Sequence, residues 1–280
     1  MSIVEESFYL KLEHAFEIRD QLRDLLAEEA TKTRPTRFEN NATDPTASVV
    51  WAQWVAEEAP DHRRAALLLG DAIHNMRAAL DHAIWSVTPE QVRQDQPRRV
   101  EFPLHVTEKA YNSWVKIRRD WYGDMVLAVM EASQPFHAST NQIHPLHLLQ
   151  HLSNTDKHRL LNVVAHNQVA GAQIAVLPTP GRLKTSVNEG VVSAGTVLAR
   201  VEFQRPVVNG PAGHVDIKGV FAYEQVVRYI DAAEQEHWLH IGEALNQIGP
   251  LVCETVGYLV NADRKDKGLP QLSDDNPQIT

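Results

Sequence analysis

Gly70-Asp71-Ala72-Ile73-His74-Asn75-Met76-Arg77-Ala78-Ala79-Leu80-Asp81-His82-Ala83-Ile84-Trp85 is the stretch from which the rest of the chain is read. At about 100° per residue it separates into two faces. Leu69, Ala72, Ile73, Met76, Ala79, Leu80, Ala83, Ile84 and Val87 make an apolar face, the signature of a helix laid on a core. Asp71, His74, Asn75, Arg77, Asp81 and His82 make the other face, which carries no Lys and no Glu, the residues that usually fill a solvated helix surface. Imidazole, carboxamide, guanidinium and carboxylate groups form directed hydrogen bonds, and imidazole titrates near neutrality. This face is therefore a candidate site.

Working outward, residues 4–30 read as a helix striped by Phe8, Leu12, Ala15, Phe16, Leu22, Leu25 and Leu26. The turn-rich run from Asn40 to Pro45, followed by Val49, Val50, Trp51, Trp54 and Val55, predicts a β-hairpin over 36–56. Asp61 is placed to cap the central helix, which Thr88-Pro89 ends. Helices are expected over 108–122, 124–132 and, from Pro145, over 146–162. Val/Ala/Ile-rich runs at 163–177, 191–203 and 214–223, separated by Gly and Pro, predict three to five antiparallel strands. Helices are expected again from 224, with a kink or restart at Gly249-Pro250.

The expected fold class is thus α+β and predominantly helical: a helical bundle with an N-terminal β-hairpin and an antiparallel β insert before the C-terminal helices. The expected division is a bundle over 1–162 including the hairpin, a β-rich insert at 163–223, C-terminal helices at 224–262 completing the bundle, and a disordered tail at 263–280, which is polar and lacks an apolar period.

With 280 residues the chain can bury a sizeable core. Its formal charge of -9 argues against broad electrostatic binding to DNA or RNA. The single Cys253 excludes an internal disulfide and fits a reducing compartment. The first ten residues are too acidic for a signal peptide, and no uncharged apolar run is long enough to span a bilayer, so a cytoplasmic protein without membrane contact is expected.

A second polar constellation lies in the helix predicted from Pro145. His147, His151 and His158 line one side with Asn154, while Asp156 and Arg159 fall among leucines with Lys157 between them. A carboxylate in that setting needs a partner. That partner would be Arg159, one turn away, or a group on the helix of Arg77 and His82. His147 and His151 at i and i+4 could also chelate one metal ion.

Arg77-Ala78-Ala79-Leu80-Asp81-His82, an Arg followed after four residues by His with Asn75 before it, resembles the motif of the HEPN superfamily. The resemblance covers the central helix and, loosely, its helical surroundings. It implies a helical, often dimeric, metal-independent RNA endonuclease of the kind found in toxin and phage-defence systems. On this resemblance His82 would be the general base on a ribose 2′-hydroxyl, Arg77 would hold the scissile phosphate, and Asp81 or His74 would orient His82. RNA would be the substrate, a homodimer the assembly, and no cofactor would be needed. Arg77 and His82, at i and i+5, do not share one row of the helix, and a composite site across a twofold axis would resolve this. The stretches 74–82 and 154–159 are also similar to the pattern of an uncharacterised bacterial family, which implies no activity.

Two other readings stay open. In one, Arg77 and Asp81 pair with each other and the polar face, with Asp71 and Asn75, ties helices together in a non-catalytic binding or assembly protein. In the other, the His-rich segment serves a metal-dependent hydrolase.

Overall fold

The computed structural model describes residues 3–32, 35–138, 142–158, 160–161, 163–206, 215–231 and 233–272. Along the chain run α1 (Ile3–Thr31), β1 (Thr36–Asn40), β2 (Val49–Ala56), α2 (Arg63–Val87), α3 (Glu90–Asp95), α4 (Glu108–Arg118), α5 (Asp124–Ala132), α6 (Pro145–Asp156), β3 (Val163–Leu177), β4 (Leu183–Val187), β5 (Gly190–Val191), β6 (Val197–Gln204), β7 (Asp216–Ile230), β8 (Glu236–His240) and α7 (Ile241–Asp266). The fold is α+β, with two antiparallel sheets ordered β1-β2-β6-β4 and β5-β3-β7-β8. No helix among the described residues is long and apolar enough to cross a membrane.

The chain divides into two compact units. One takes Met1–Asp24, Ala65–Asn162 and Val227–Thr280, the other Leu25–Arg64 and Val163–Val226. In the second unit the expected hairpin forms with Thr36 opposite Ala56, and β2 continues onto β6 with Val50 opposite Phe203. Asn41 closes the hairpin, accepting from Trp51 N at 2.8 Å and donating to Val49 O at 3.0 Å. Hairpin and insert therefore share one core. Val50, Val176 and Phe203 pack in one part of it, and Ala52, Trp54, Ala199 and Val201 in another.

The helical unit is built around α2. Ala72, Ile73, Met76, Ala79, Leu80, Ala83 and Ile84 are fully buried. Asp61 caps α2 through its contact with Arg63 N at 3.0 Å. α7 packs against α5 and α6, and the Asp266 carboxylate near its end accepts from Met125 N and Val126 N, capping α5. α7 runs unbroken through Pro250, where a kink or restart is expected from the sequence.

Three expectations need correction. The segment from 224 is not helical: β7 continues to Ile230, β8 follows, and α7 begins at Ile241. Val226, Val227, Tyr229 and Ile230 satisfy a strand as well as a helix. Asp231 decides the matter by accepting from Ala233 N and Gln235 N in a turn that holds Glu234 at φ 62°. α6 ends at Asp156 rather than near 162, and Arg159 lies outside the described residues, so the expected Asp156–Arg159 pair does too. Much of the expected disordered tail is folded: α7 reaches Asp266 and the following residues bond back to it, Leu269 N to Arg264 O and Leu272 N to Asn261 Oδ1. Residues 273–280 lie outside the described residues.

A histidine-lined cleft as candidate functional site

The polar face of α2 meets several neighbours, each held by a different pair of residues. Arg77 and Asp81 form a fork, with Arg77 Nη2 donating to Asp81 Oδ1 at 2.9 Å and Arg77 Nε to Asp81 Oδ2 at 3.2 Å. The same fork grips the backbone of Phe102: Arg77 Nη2 donates to its carbonyl at 2.8 Å, and its amide donates to Asp81 Oδ1 at 2.9 Å. Three of the five guanidinium N–H groups are thus engaged in fixing an extended segment.

Asn75 and His82 face α1 instead. Asn75 is buried, donates to Asp71 O at 2.8 Å and accepts from Lys11 Nζ at 3.1 Å. His82 has a hydrogen bond with the Ser7 backbone, while its buried Nδ1 has no partner among the described residues. Burial and then the Lys11 cation hold its pKa below the ordinary imidazole value, against a weaker pull from Asp81. Within the chain, Arg77 and His82 do not converge.

Asp156 is the point where α6 meets α2. Its carboxylate lies against Gly70, where a Cβ would overlap it, and close to Asp71 and His74. Burial and then the Asp71 charge push its pKa up, and His74 draws it down. The Asp156 carboxylate therefore meets α2, as the sequence allows, but at Gly70, Asp71 and His74 rather than at Arg77.

These contacts set the walls of a cleft of about 690 Å³ lined by Leu104, His105, Val106, Ala110, His147, Gln150, His151, Asn154, Thr155 and His158. One wall follows directly from the Phe102 fork and is fixed further by Gln134, which is fully buried. Gln134 accepts from His105 N at 3.0 Å and donates to Pro103 O at 3.0 Å and Met130 O at 2.7 Å. The other wall is α6, started by Pro145 and by His144, whose Nδ1 accepts from Leu146 N at 3.2 Å.

Behind α6 stands Tyr229 of β7, 1% exposed. Its hydroxyl is 2.7 Å from His147 Nδ1, and its ring meets His151 edge-on at 5.2 Å and His237 at 5.8 Å. His237 Nε2 in turn lies 2.8 Å from Asp231 Oδ2. Burial, with the Asp231 charge, pushes the phenol pKa up to about 12. Burial lowers the pKa of His147, with Asp231 pulling the other way. Burial likewise lowers His105, which Glu101 raises and Arg118 lowers. The His105 Nε2 atom is buried without a hydrogen-bond partner among the described residues.

Of the residues singled out from the sequence, His147, His151, Asn154 and His158 line the cleft, and Lys157 is exposed just past the end of α6. Arg77, Asp81, Asp71, His74 and Asp156 support its walls without lining it. Among the described residues no group of three or more His, Cys, Asp or Glu side chains is disposed to hold a metal ion, so His147 and His151 have no third ligand of that kind. His105, Gln134 and Tyr229 are the additions. Tyr229 is hidden from sequence reasoning because its segment fits a helix period, and Gln134 because a single polar residue before Pro135 reads as an ordinary turn. In comparisons with known proteins, no family model, no curated protein and no solved structure matches this chain.

Proposed function

We propose that the protein is an enzyme that transfers protons on a small polar substrate held in the cleft, with neutral imidazoles as its acid and base. The hydrogen bond between the Tyr229 hydroxyl and His147 Nδ1 carries this reading. A buried phenol that stays protonated needs an acceptor for its O–H, and His147 Nδ1 is its partner. That bond leaves the proton of the neutral ring on Nε2, so His147 offers an N–H donor to a substrate oxygen. A neutral imidazole kept from protonation by burial polarises a carbonyl or phosphoryl oxygen, and when its Nε2 proton passes to that oxygen the Tyr229 hydroxyl gives its own proton to Nδ1, so the ring stays neutral and the phenol takes the negative charge. His105, on the opposite wall, is the base through Nδ1, its Nε2 being buried. Among the described residues the lining holds no Lys, Arg, Asp or Glu, so recognition there rests on hydrogen bonds from Gln150, Asn154 and Thr155. Metal-free cleavage of RNA to a 2′,3′-cyclic phosphate, which the HEPN resemblance implies, is one reaction of this class. On this geometry it would be run by His105 and His147.

The test is a ligand screen by NMR on protein labelled with 15N at histidine, using nucleosides, sugars and small amides as probes, with RNA cleavage in chelator assayed alongside. At least one probe class is expected to shift the His105 and His147 ring nitrogens saturably. His147→Ala, with the fold kept, is expected to weaken that binding about tenfold, the loss of one well-placed hydrogen bond. Probes that leave both rings unmoved, or that bind the variant as tightly as the wild type, overturn the reading.

A further inference from the structure

Three of the buried nitrogens left without a hydrogen-bond partner among the described residues follow one run of contacts: His105 Nε2, Trp114 Nε1 and Arg118 Nε. The rings of His105 and Tyr111 are 6.3 Å apart, Tyr111 stacks on Trp114 at 6.2 Å, and the Arg118 guanidinium lies over Trp114 at 4.9 Å and near Trp121 at 5.4 Å. Buried polar groups are nearly always paired, so neighbouring orphans on side chains of adjacent contact call for a common explanation. Trp and Arg nitrogens of this kind can only donate. The missing partner is therefore an acceptor.

The local charge says which kind. Arg99 is exposed and close enough to Arg118 to disfavour its charge, while Glu101 nearby favours it. Burial is the larger influence on Arg118, and the Tyr122 hydroxyl also acts on it. Among the described residues neither Arg99 nor Arg118 has a carboxylate at ion-pair distance, whereas the adjacent Arg119 is paired with Asp124 at 2.8 Å. Arg118 lies over the indole faces of Trp114 and Trp121 and feels the Arg99 charge, and Arg99, bonded to Gln96 Oε1 at 3.0 Å, keeps further N–H groups; such guanidinium groups suit an oxyanion, which accepts several N–H bonds at once.

We propose that Trp114, Arg118 and Arg99, together with His105, form an oxyanion-binding subsite adjoining the cleft, which takes a phosphate or carboxylate group of the ligand. This extends the reading of the cleft by giving its substrate class: a molecule with an uncharged polar part in the cleft and an anionic group at Arg118. Inorganic phosphate serves as probe, so the test needs neither turnover nor the neutral part of the ligand. Its failure would leave the cleft reading standing, and failure of the neutral-probe screen would leave the subsite standing.

The experiment titrates the full-length protein with phosphate, with acetate and with chloride at matched ionic strength, following the indole N–H signals of Trp114 and Trp121 and the ring signals of His105 by NMR. Phosphate or acetate is expected to shift the Trp114 and His105 signals saturably, and whichever binds tighter identifies the anion. Arg99→Gln is expected to weaken that binding, and Arg118→Gln to weaken it about tenfold. Arg118→Lys keeps the charge and guards against misfolding of the Gln variant. It should bind more weakly than wild type, because an ammonium cannot present the fork. Equal shifts with chloride, the absence of a saturable shift, or unchanged affinity in both Arg99→Gln and Arg118→Lys overturn the proposal.

Discussion

Asp156 shows what a single residue does in this fold. It sits where Gly70 leaves room, close to the Asp71 charge, and its pKa is raised by burial and by that charge. A carboxyl whose folded pKa exceeds its unfolded one binds more protons when folded. Its penalty is absent below the ordinary carboxylate value and grows as pH rises through the raised value. Asp156→Asn, close to isosteric and never charged, is therefore expected to be more stable than wild type at pH 7 and no more stable at about pH 3, where both side chains are neutral. Urea denaturation at the two pH values measures this. Greater stability of the wild type at pH 7 would mean that Asp156 has a partner worth more than its burial costs. From sequence, Asp156 is legible as a carboxylate in need of a partner. Where it lands is not, because Gly70 announces close approach only once α6 is laid against α2.

At the scale of elements, the residues most conspicuous in sequence turn out to hold segments in place. Arg77 and Asp81 are read correctly as a pair able to bond to each other, but a helical wheel cannot show that the fork closes on the backbone of Phe102, 25 residues from Arg77. Arg77→Ala removes hydrogen bonds to a carboxylate and a carbonyl and leaves Asp81 without its cation. It is expected to cost about 2 kcal/mol, a value typical of charge-assisted bonds. It should also loosen the 102–105 segment, seen as faster amide exchange at Phe102 and His105 in hydrogen-exchange measurements. Unchanged stability and exchange would show that Gln134 alone positions that wall. The helices with a clear apolar period, α1, α2 and α5, are legible nearly to the residue. The β7–β8 hairpin is not, because its apolar residues fit both periods and the turn depends on Asp231 accepting two backbone amides. That misreading hides Tyr229, and with it the device behind His147.

Across the whole molecule, His82, His105, His144 and His147 all have pKa values held down, chiefly by burial. A histidine whose folded pKa lies below its unfolded one takes up fewer protons when folded. The stability it lends is complete above the ordinary imidazole value of about 6.5 and declines as pH falls through it. The protein is therefore expected to lose stability between about pH 7 and pH 5, before carboxylates with ordinary pKa values titrate. His147→Gln should make that decline shallower. A flat melting temperature over this interval would mean that the imidazoles titrate freely. The formal charge of -9 is no obstacle to anion binding, because Arg99 and Arg118 act locally and charges beyond about 8–10 Å are screened at physiological salt.

The account depends most on His147 being a neutral ring whose proton is fixed on Nε2 by Tyr229. Proton-detected 15N correlation spectra of the histidine rings, recorded across the pH range for wild type and Tyr229→Phe, measure this directly. The predicted result is a wild-type His147 that is neutral at pH 7, carries its proton on Nε2 and titrates below about 6.5, with that tautomer lost or mixed in Tyr229→Phe. A His147 that is charged at pH 7, or protonated on Nδ1 in both proteins, would contradict it.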